Sequence, residues 1–230
     1  LVRSNQDLER FAYVVAHELQ GPLTTVSGFM ALLQRRYKDK VEGKAGEYIK
    51  CAIDGADRMR HLIDDLLDYS LTGGNKKMDS VDVTGVVNTV LLNVQNSIQE
   101  AGAVVTFDAL PTVTANAREL TQAFQNLIVN AIKFRREDVP PIIHVGSQEE
   151  DDRWVFSVRD NGIGIPAEEF DRIFEVFQRL HSSQQYAGTG IGLSVVKKIV
   201  EAHGGGVWVE SEIGKGSTFN FSIPVRKKNT

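Results

Sequence analysis

An apolar stripe runs through the start of the chain at Leu8, Phe11, Val15, Leu19, Pro22, Val26, Phe29 and Leu33, in steps of three and four only. That spacing describes one face of a helix and excludes a strand. Leu1 and Ser4 extend it backward. A second stripe follows at Ile49, Ala52, Ala56, Met59, Ile63 and Leu66. Between them, residues 38–46 are mostly polar and include Gly43 and Gly46, which marks a turn. The expected structure is a helical hairpin. Each helix also carries apolar residues beside its stripe, such as Leu32 and Ile53, more than two helices can bury against each other. Two hairpins packed as a four-helix bundle would cover them, so the expected assembly is a homodimer.

Leu71-Thr-Gly-Gly-Asn75 ends the hairpin, because paired glycines break a helix and allow a hinge. The expected division is a helical domain over 1–72, a hinge linker over 73–78 and a second domain over 79–230. In that second domain the periods alternate. Helices are expected at 83–99, 119–134 and 191–203, and strands at 103–107, 142–147, 154–160, 207–211 and 218–223. Glu149–Asp152 reads as a hairpin turn. Interleaved helices and strands predict an α/β sandwich: a mixed sheet covered by helices on one face. Trp154, Trp208 and Met59 read as core residues.

Composition excludes several classes. Apolar residues make up 42% and charged residues 24%, ordinary for a globular chain of 230 residues. Lys plus Arg is 26 against 30 Asp plus Glu, a net charge of −4, which does not suit a broad grip on nucleic acid or anionic lipid. No apolar run reaches the roughly 18 residues of a membrane helix. The single cysteine, Cys51, excludes an intrachain disulfide and suits a reducing, cytoplasmic compartment. The chain starts Leu-Val-Arg without a signal peptide, so it is expected to be the C-terminal part of something longer.

Two glycine motifs carry the chemistry. Asp160-Asn-Gly-Ile-Gly-Ile-Pro166 follows an expected strand, and Gly188-Thr-Gly-Ile-Gly192 precedes an expected helix. Glycines let backbone amides approach a phosphate, and a helix N-terminus adds a favourable dipole. No Gly-x4-Gly-Lys-Ser/Thr is present, and neither motif sits in a dinucleotide-binding strand–turn–helix. Asn126 and Asn130 lie one helical turn apart, with Lys133 on the same face. Two amides and a cation suit Mg²⁺ and a triphosphate, although such a pair alone is more simply a solvated helix face.

His17 lies two residues from both Val15 and Leu19, so it points about 200° away from each and faces solvent. Pro22 cannot donate to the carbonyl of Glu18, and Gly21 adds slack, so the helix should loosen there. The stripe doubles its four-residue step around His17, a stutter that locally unwinds a coiled coil. Glu18 can hold one ring nitrogen and leave the other free to attack phosphorus. A surface histidine without a role is the alternative. His-Glu-x-x also opens a zinc-protease motif, but Gly21 stands where the second histidine ligand belongs. His61, a rival on the second helix, is followed by Leu62 and by no proline. His144, His181 and His203 are scattered and suggest no metal cluster.

These residues together resemble the two-component sensor histidine kinases. Gln125-Asn-Leu-Ile-Val-Asn-Ala-Ile-Lys-Phe134 resembles their N box, Asp160–Pro166 the G1 box, Ile173-Phe-Glu-Val-Phe177 the F box and Gly188–Leu193 the G2 box. His17-Glu-Leu-Gln-Gly-Pro-Leu23 resembles the H box. The resemblance covers nearly the whole chain. It implies a dimerisation and phosphotransfer domain followed by an ATP-binding domain of the Bergerat type. It implies Asp160 on the adenine amino group, Asn126 and Asn130 on Mg²⁺, and Lys133 and Arg179 on the phosphates. Gly162, Gly164, Gly188, Thr189, Gly190, Gly192 and Leu193 would shape the nucleotide site, and Leu180–Ala187 would be a mobile lid. It further implies ATP-dependent phosphorylation of His17 and transfer to an aspartate of a response regulator.

Two other functions are possible for such a fold. ATP-hydrolysing clamps place a water-activating Glu four residues before the metal-binding Asn, where this chain has Asn126; Glu119 lies nearly two turns earlier. A nucleotide-sensing scaffold without kinase activity predicts an eroded box, and every ATP-site box is intact. One departure from the family stands at Gly21, where regulator-dephosphorylating members often carry Thr or Asn.

Overall fold

A computed structural model describes residues 18–33, 35, 44–73, 77–180, 186 and 188–225. His17, the stripe residues before it, and residues 181–185 and 187 of the expected lid lie outside the described residues. The chain divides into two compact units, Leu1–Leu71 and Thr72–Thr230.

In the first unit, residues 18–33 form helix α1 and Lys44–Leu71 form helix α2. Gly21 and Pro22 do not break α1. Thr24 and Thr25 turn their hydroxyls back to the carbonyls of Gln20 and Gly21, at 2.8 and 3.1 Å. The two helices meet through Leu23, Ala56 and Ile63, with Leu66 and Leu67 packed alongside. Gln20 Nε2 donates to Asp64 Oδ1 at 3.0 Å across the same seam. Leu23, not Pro22, is the inward residue at that level. Leu19, Val26, Phe29, Leu32 and Leu33 stay exposed in the single chain, Phe29 by 65%. Met59 is 50% exposed, against its expected place in the core: it shares the stripe of Ala56 and Ile63 but stands at its flank, roughly 40–60° around the helix from them.

The second unit is a five-stranded mixed sheet with helices packed on it. Its strands are β2 (Val104–Phe107), β4 (Ile142–Glu150), β5 (Arg153–Asp160), β7 (Gly216–Pro224) and β6 (Val207–Glu212), in the order β2-β4-β5-β7-β6. Only β2 and β4 run parallel. Helices α5 (Ala117–Lys133) and α6 (Gly192–Ala202) supply the apolar cover. Phe124 of α5 meets Phe156 and Phe221 of the sheet edge-on, with ring centres 5.8 and 5.2 Å apart. Emptying such a site costs about 3–5 kcal/mol. Side chains alternate along the strands, so Val209 is buried while its neighbour Trp208 is 39% exposed. The expected core place of Trp208 is therefore wrong, and Trp154 is only half-buried.

The sequence expectations differ from the structure in three further places. The helix expected over 83–99 is two, α3 (Val83–Asn93) and α4 (Gln95–Ala101), broken at Val94, which keeps both Val90 and Val94 buried. Asp82 caps α3 by accepting the amides of Thr84 and Gly85. The β4–β5 ladder continues through Glu149 and Glu150, which pair with Trp154 and Arg153, so the turn tightens to Asp151 and Asp152. A small antiparallel pair, β1 (Asp79–Asp82) with β3 (Thr112–Ala115), was not expected. Each is four residues long, too short for alternation to show. Among the described residues no helix is long and apolar enough to cross a membrane.

Candidate functional site

Helix α5 is the backbone of the site. Asn116 caps its start by accepting the Glu119 amide at 3.1 Å, and Phe134 ends it. Near the C-terminal end, Asn126, Asn130 and Lys133 follow one another at intervals of four and three residues, so they share a face. The Asn126 side chain donates to the carbonyl of Gly192 at 3.1 Å, which joins α5 to the first residue of α6.

The first glycine loop leaves β5 at Asp160. One carboxylate oxygen, Asp160 Oδ1, accepts the amides of Gly162 at 2.8 Å and Ser217 at 3.2 Å. Burial pushes the Asp160 pKa above the ordinary aspartate value, and these two amides oppose that rise. Gly162 has no room for a side chain: a Cβ there would lie 2.5 Å from the Phe134 carbonyl and 2.8 Å from Asp160 Oδ1. Gly164 follows, where Ile165 donates to Ser211 Oγ at 2.8 Å. Asn161 turns outward, accepting the Ile142 amide and donating to the Pro140 carbonyl, so it ties the loop to β4.

The second glycine loop meets the segment containing Phe177. The Phe177 amide donates to the Gly190 carbonyl at 3.0 Å, with Phe177 at φ +66°. Gly190 has φ +79°, and a Cβ there would lie 2.8 Å from the Gln178 carbonyl. Thr189 Oγ1 accepts the Ile191 amide at 3.4 Å. Helix α6 then starts at Gly192 and Leu193 without a side-chain cap, which leaves its N-terminus suited to an anion.

Two cations converge beside that loop. The Lys133 ammonium lies 4.4 Å from the centre of the Phe134 ring and next to Gly188, whose added Cβ would be 2.5 Å from it. Burial lowers the Lys133 pKa below the ordinary lysine value, and the positive charge of Arg179 lowers it further. Arg179 donates to the Tyr186 carbonyl at 2.7 Å, and the Tyr186 ring stands 5.0 Å from Phe134. A cavity of about 490 Å³ opens nearby, lined by Ile163, Pro166, Arg179, Leu180, Tyr186 and Ile213 among others. Of the expected site residues only Gly164 and Arg179 line it.

The structure thus brings Asn126, Lys133, Arg179 and the second glycine loop together, and places Asp160 with Gly162. Glu18 is exposed on α1 in the other unit. Ser217 was not expected at the site; Phe134 and Tyr186 fall within the N-box match and the expected lid, where neither was singled out. Ser217 acts through its backbone amide, which no side-chain pattern announces. Among the described residues no group of three or more His, Cys, Asp or Glu could hold a metal ion.

Two family models match the chain. One, described as "His Kinase A (phospho-acceptor) domain", matches residues 7–73; the other, "Histidine kinase-, DNA gyrase B-, and HSP90-like ATPase", matches residues 115–227. The α/β unit thus belongs to an ATPase family, and the chain carries no Gly-x4-Gly-Lys-Ser/Thr motif. Cyanobacterial phytochrome A of Nostoc sp. (strain PCC 7120 / SAG 25.82 / UTEX 2576) is 49% identical over 226 residues, which are 98% of this chain and 29% of that protein. Phytochrome-like protein Cph1 of Synechocystis sp. (strain ATCC 27184 / PCC 6803 / Kazusa) is 46% identical over 98% of this chain and 30% of that protein. The crystal structure of full-length ShkA in complex with AMPPNP is similar at a TM-score of 0.71 and 27% identity, over 94% of this chain and 45% of that one. The chain belongs to the two-component sensor histidine kinases: it is a catalytic core, a phospho-acceptor domain followed by an ATPase-family domain. It spans about three-tenths of the length of the curated relatives it matches.

Proposed function

We propose that this core binds Mg-ATP and transfers its γ-phosphoryl group to His17, from which the group passes to an aspartate of a response regulator. The observation that carries the reading is the pairing of Lys133 and Arg179 beside the second glycine loop. Lys133 is half-buried, and its protonation is opposed by that burial and by the charge of Arg179, a setting that a polyanion would relieve. The AMPPNP complex of ShkA supports a triphosphate there. Asp160 accepts the adenine amino group, with Gly162 and Gly164 letting the base approach. Gly188, Thr189, Gly190, Gly192 and Leu193 present backbone to the phosphates.

The donor set fits a magnesium ion: Asn130 and Asn126 would hold it through their amide oxygens, and Asn126 has its NH₂ engaged by Gly192. Bound Mg²⁺ neutralises charge on the β- and γ-phosphates. A ring nitrogen of His17 forms the new bond to phosphorus as the bond to the bridging oxygen breaks, releasing ADP. Glu18 accepts the hydrogen bond of the other ring nitrogen and steadies the cation that forms. Lys133 and Arg179 meet the charge left on ADP.

The exposed row Leu19, Val26, Phe29, Leu32 and Leu33 supports a homodimer that covers it as a four-helix bundle. The regulator would dock on the outward faces of both helices. We assign residues 1–72 to dimerisation and phosphotransfer, 73–78 to the link and 79–230 to nucleotide binding. Use of ATP fits a cytoplasmic place.

A hydrolysing clamp is disfavoured by Glu119, the nearest candidate base. It is 2% exposed and accepts the Gly73 amide at 3.0 Å, out of reach of a water at Asn130. Incubation with γ-labelled ATP separates the readings. The expected result is an acid-labile label on His17 that is lost in His17→Gln while ATP binding is kept. Free phosphate as the main product, or label on His61, would overturn it.

A further inference from the structure

Asn116 and Glu119 hold the N-cap and third positions of α5, the arrangement of a capping box, in which the carboxylate returns to the amide of the cap residue. Only half of that box is made. Asn116 Oδ1 accepts the Glu119 amide, but the Asn116 amide donates instead to His203 Nε2 at 3.0 Å. Since Nε2 accepts and Nδ1 lies 2.7 Å from the Ile199 carbonyl, the ring is neutral and carries its proton on Nδ1. Glu119 is thereby released to reach elsewhere: Oε1 accepts the amide of Gly73 at 3.0 Å. Both side chains are buried, Glu119 at 2% and His203 at 4%. On its other side, Asn116 Nδ2 donates to the Lys77 carbonyl at 3.2 Å.

The first turn of α5 therefore binds the chain at Gly73 and again at Lys77. Gly73 is fixed at φ +82°, where a Cβ would come within 3.5 Å of Ala202 and Lys198. The other carboxylate oxygen, Glu119 Oε2, lies 3.9 Å from His203 Nδ1, so the same buried ring borders both halves of the arrangement.

We infer that Glu119 is a positioning residue, which with Asn116 clamps the segment following α2 onto the start of the phosphate-binding helix. Helix α2 ends at Leu71, two residues before the clamped Gly73. The same α5 carries Asn126, Asn130 and Lys133. A displacement at the end of α2 is then delivered to that helix rather than lost in slack chain. The kinetic consequence rests on the proposed kinase reaction; the clamp does not.

The test uses the whole chain and two readouts. Glu119→Ala should speed hydrogen exchange of the Gly73 amide at least tenfold and slow His17 labelling at least fivefold, with the Kd for AMPPNP within twofold of wild type. Glu119→Gln, which keeps an acceptor oxygen, should restore both. Asn116→Ser keeps a cap acceptor for the Glu119 amide while removing the Nδ2 donor to the Lys77 carbonyl, and should slow labelling in the same way, which covers the case of Glu119→Ala failing to fold. Unchanged Gly73 exchange in Glu119→Ala, or equal losses of labelling rate and AMPPNP affinity, would overturn the clamp. If wild type never labels His17, the kinase reading fails, while Gly73 exchange still decides the clamp.

Discussion

The amide of Ile163 donates to the carbonyl of Phe134 at 3.0 Å, so the first glycine loop is sewn to the residue that ends α5. The loop and helix that would face the two ends of a nucleotide are thus one structural piece. Ser217 joins it from β7 by its amide bond to Asp160.

That seam predicts the effect of Gly162→Ala. The added methyl would lie 2.5 Å from the Phe134 carbonyl and 2.8 Å from Asp160 Oδ1, so it must displace either backbone or the carboxylate held by two amides. Nucleotide affinity should drop at least tenfold, a change of about 1.4 kcal/mol. Titration with a fluorescent ATP analogue checks this, and sedimentation should show the association state unchanged.

Asp160 predicts a trade between stability and binding. Its raised pKa means that folding is penalised by the buried charge at neutral pH and that the penalty fades as pH falls through the raised value. Asparagine keeps an oxygen for the Gly162 and Ser217 amides and carries no charge. Asp160→Asn should therefore melt above wild type at pH 7, with the gap closing in acid towards the ordinary aspartate value. Its nucleotide affinity should fall. Thermal melts at pH 4 and 7 measure the first claim.

Lys133 predicts an alkaline limit on binding. A lowered pKa means that the ammonium loses its proton at a lower pH than an ordinary lysine. Affinity for AMPPNP should weaken as pH rises toward that range. Removing the neighbouring charge with Arg179→Gln should move the inflection upward while weakening binding throughout. Calorimetric titration between pH 7 and 10 reads both effects.

The exposed helix face predicts the assembly. Phe29→Asp places a charge on the most exposed large apolar residue of α1, at 65%. A dimer that buries this face should dissociate to a monomer in sedimentation equilibrium. The nucleotide affinity of the second unit should stay within twofold of wild type.

The fold was most legible where period and length reinforced each other. Residues 117–133 combine an apolar stripe with the Asn116 cap, and the helix ends one residue from its expected limit. The β5 and β7 strands were both found, β5 from its apolar run Trp154–Phe156 and β7 from Phe219, Phe221 and Ile223 at every second position. The β1–β3 pair was invisible because each run is four residues long and offers little apolar signal: Val81 alone is buried in β1, and Val113 with the small Ala115 in β3. Trp208 misled because size and apolarity do not say which face of a strand a residue occupies, and Met59 because the flank of an apolar stripe can lie outside the seam between two helices. At the candidate site, Asn126, Lys133 and Gly162 were singled out by spacing and residue type taken together with the family resemblance. The contribution of Ser217 was not, since any residue but proline supplies the same amide. Nor was that of Glu119, whose local spacing announces a capping box while its carboxylate bonds a residue 46 positions away.

Gly21 predicts which of two activities this core performs well. Family members that dephosphorylate their regulator often carry Thr or Asn one helical turn after the histidine, where the side chain can orient a water. Gly21 has no such group. Gln20 is about 100° around the helix from it and already donates to Asp64 at 3.0 Å, so it is engaged in the hairpin seam. Labelling of His17 needs only His17 and Glu18 at this level and should proceed. Dephosphorylation of a regulator should be slow, with ADP present or absent. The structure leaves room for the missing group: nothing lies within 4 Å of a Cβ added at Gly21, which is exposed on α1. Gly21→Thr should therefore fold as wild type and accelerate loss of phosphate from a phosphorylated regulator several-fold. The measurement is the decay of labelled regulator with wild type, variant or neither protein present. Rapid decay with wild type would refute weak phosphatase activity, and a well-folded Gly21→Thr that adds nothing would show that the water is oriented from elsewhere.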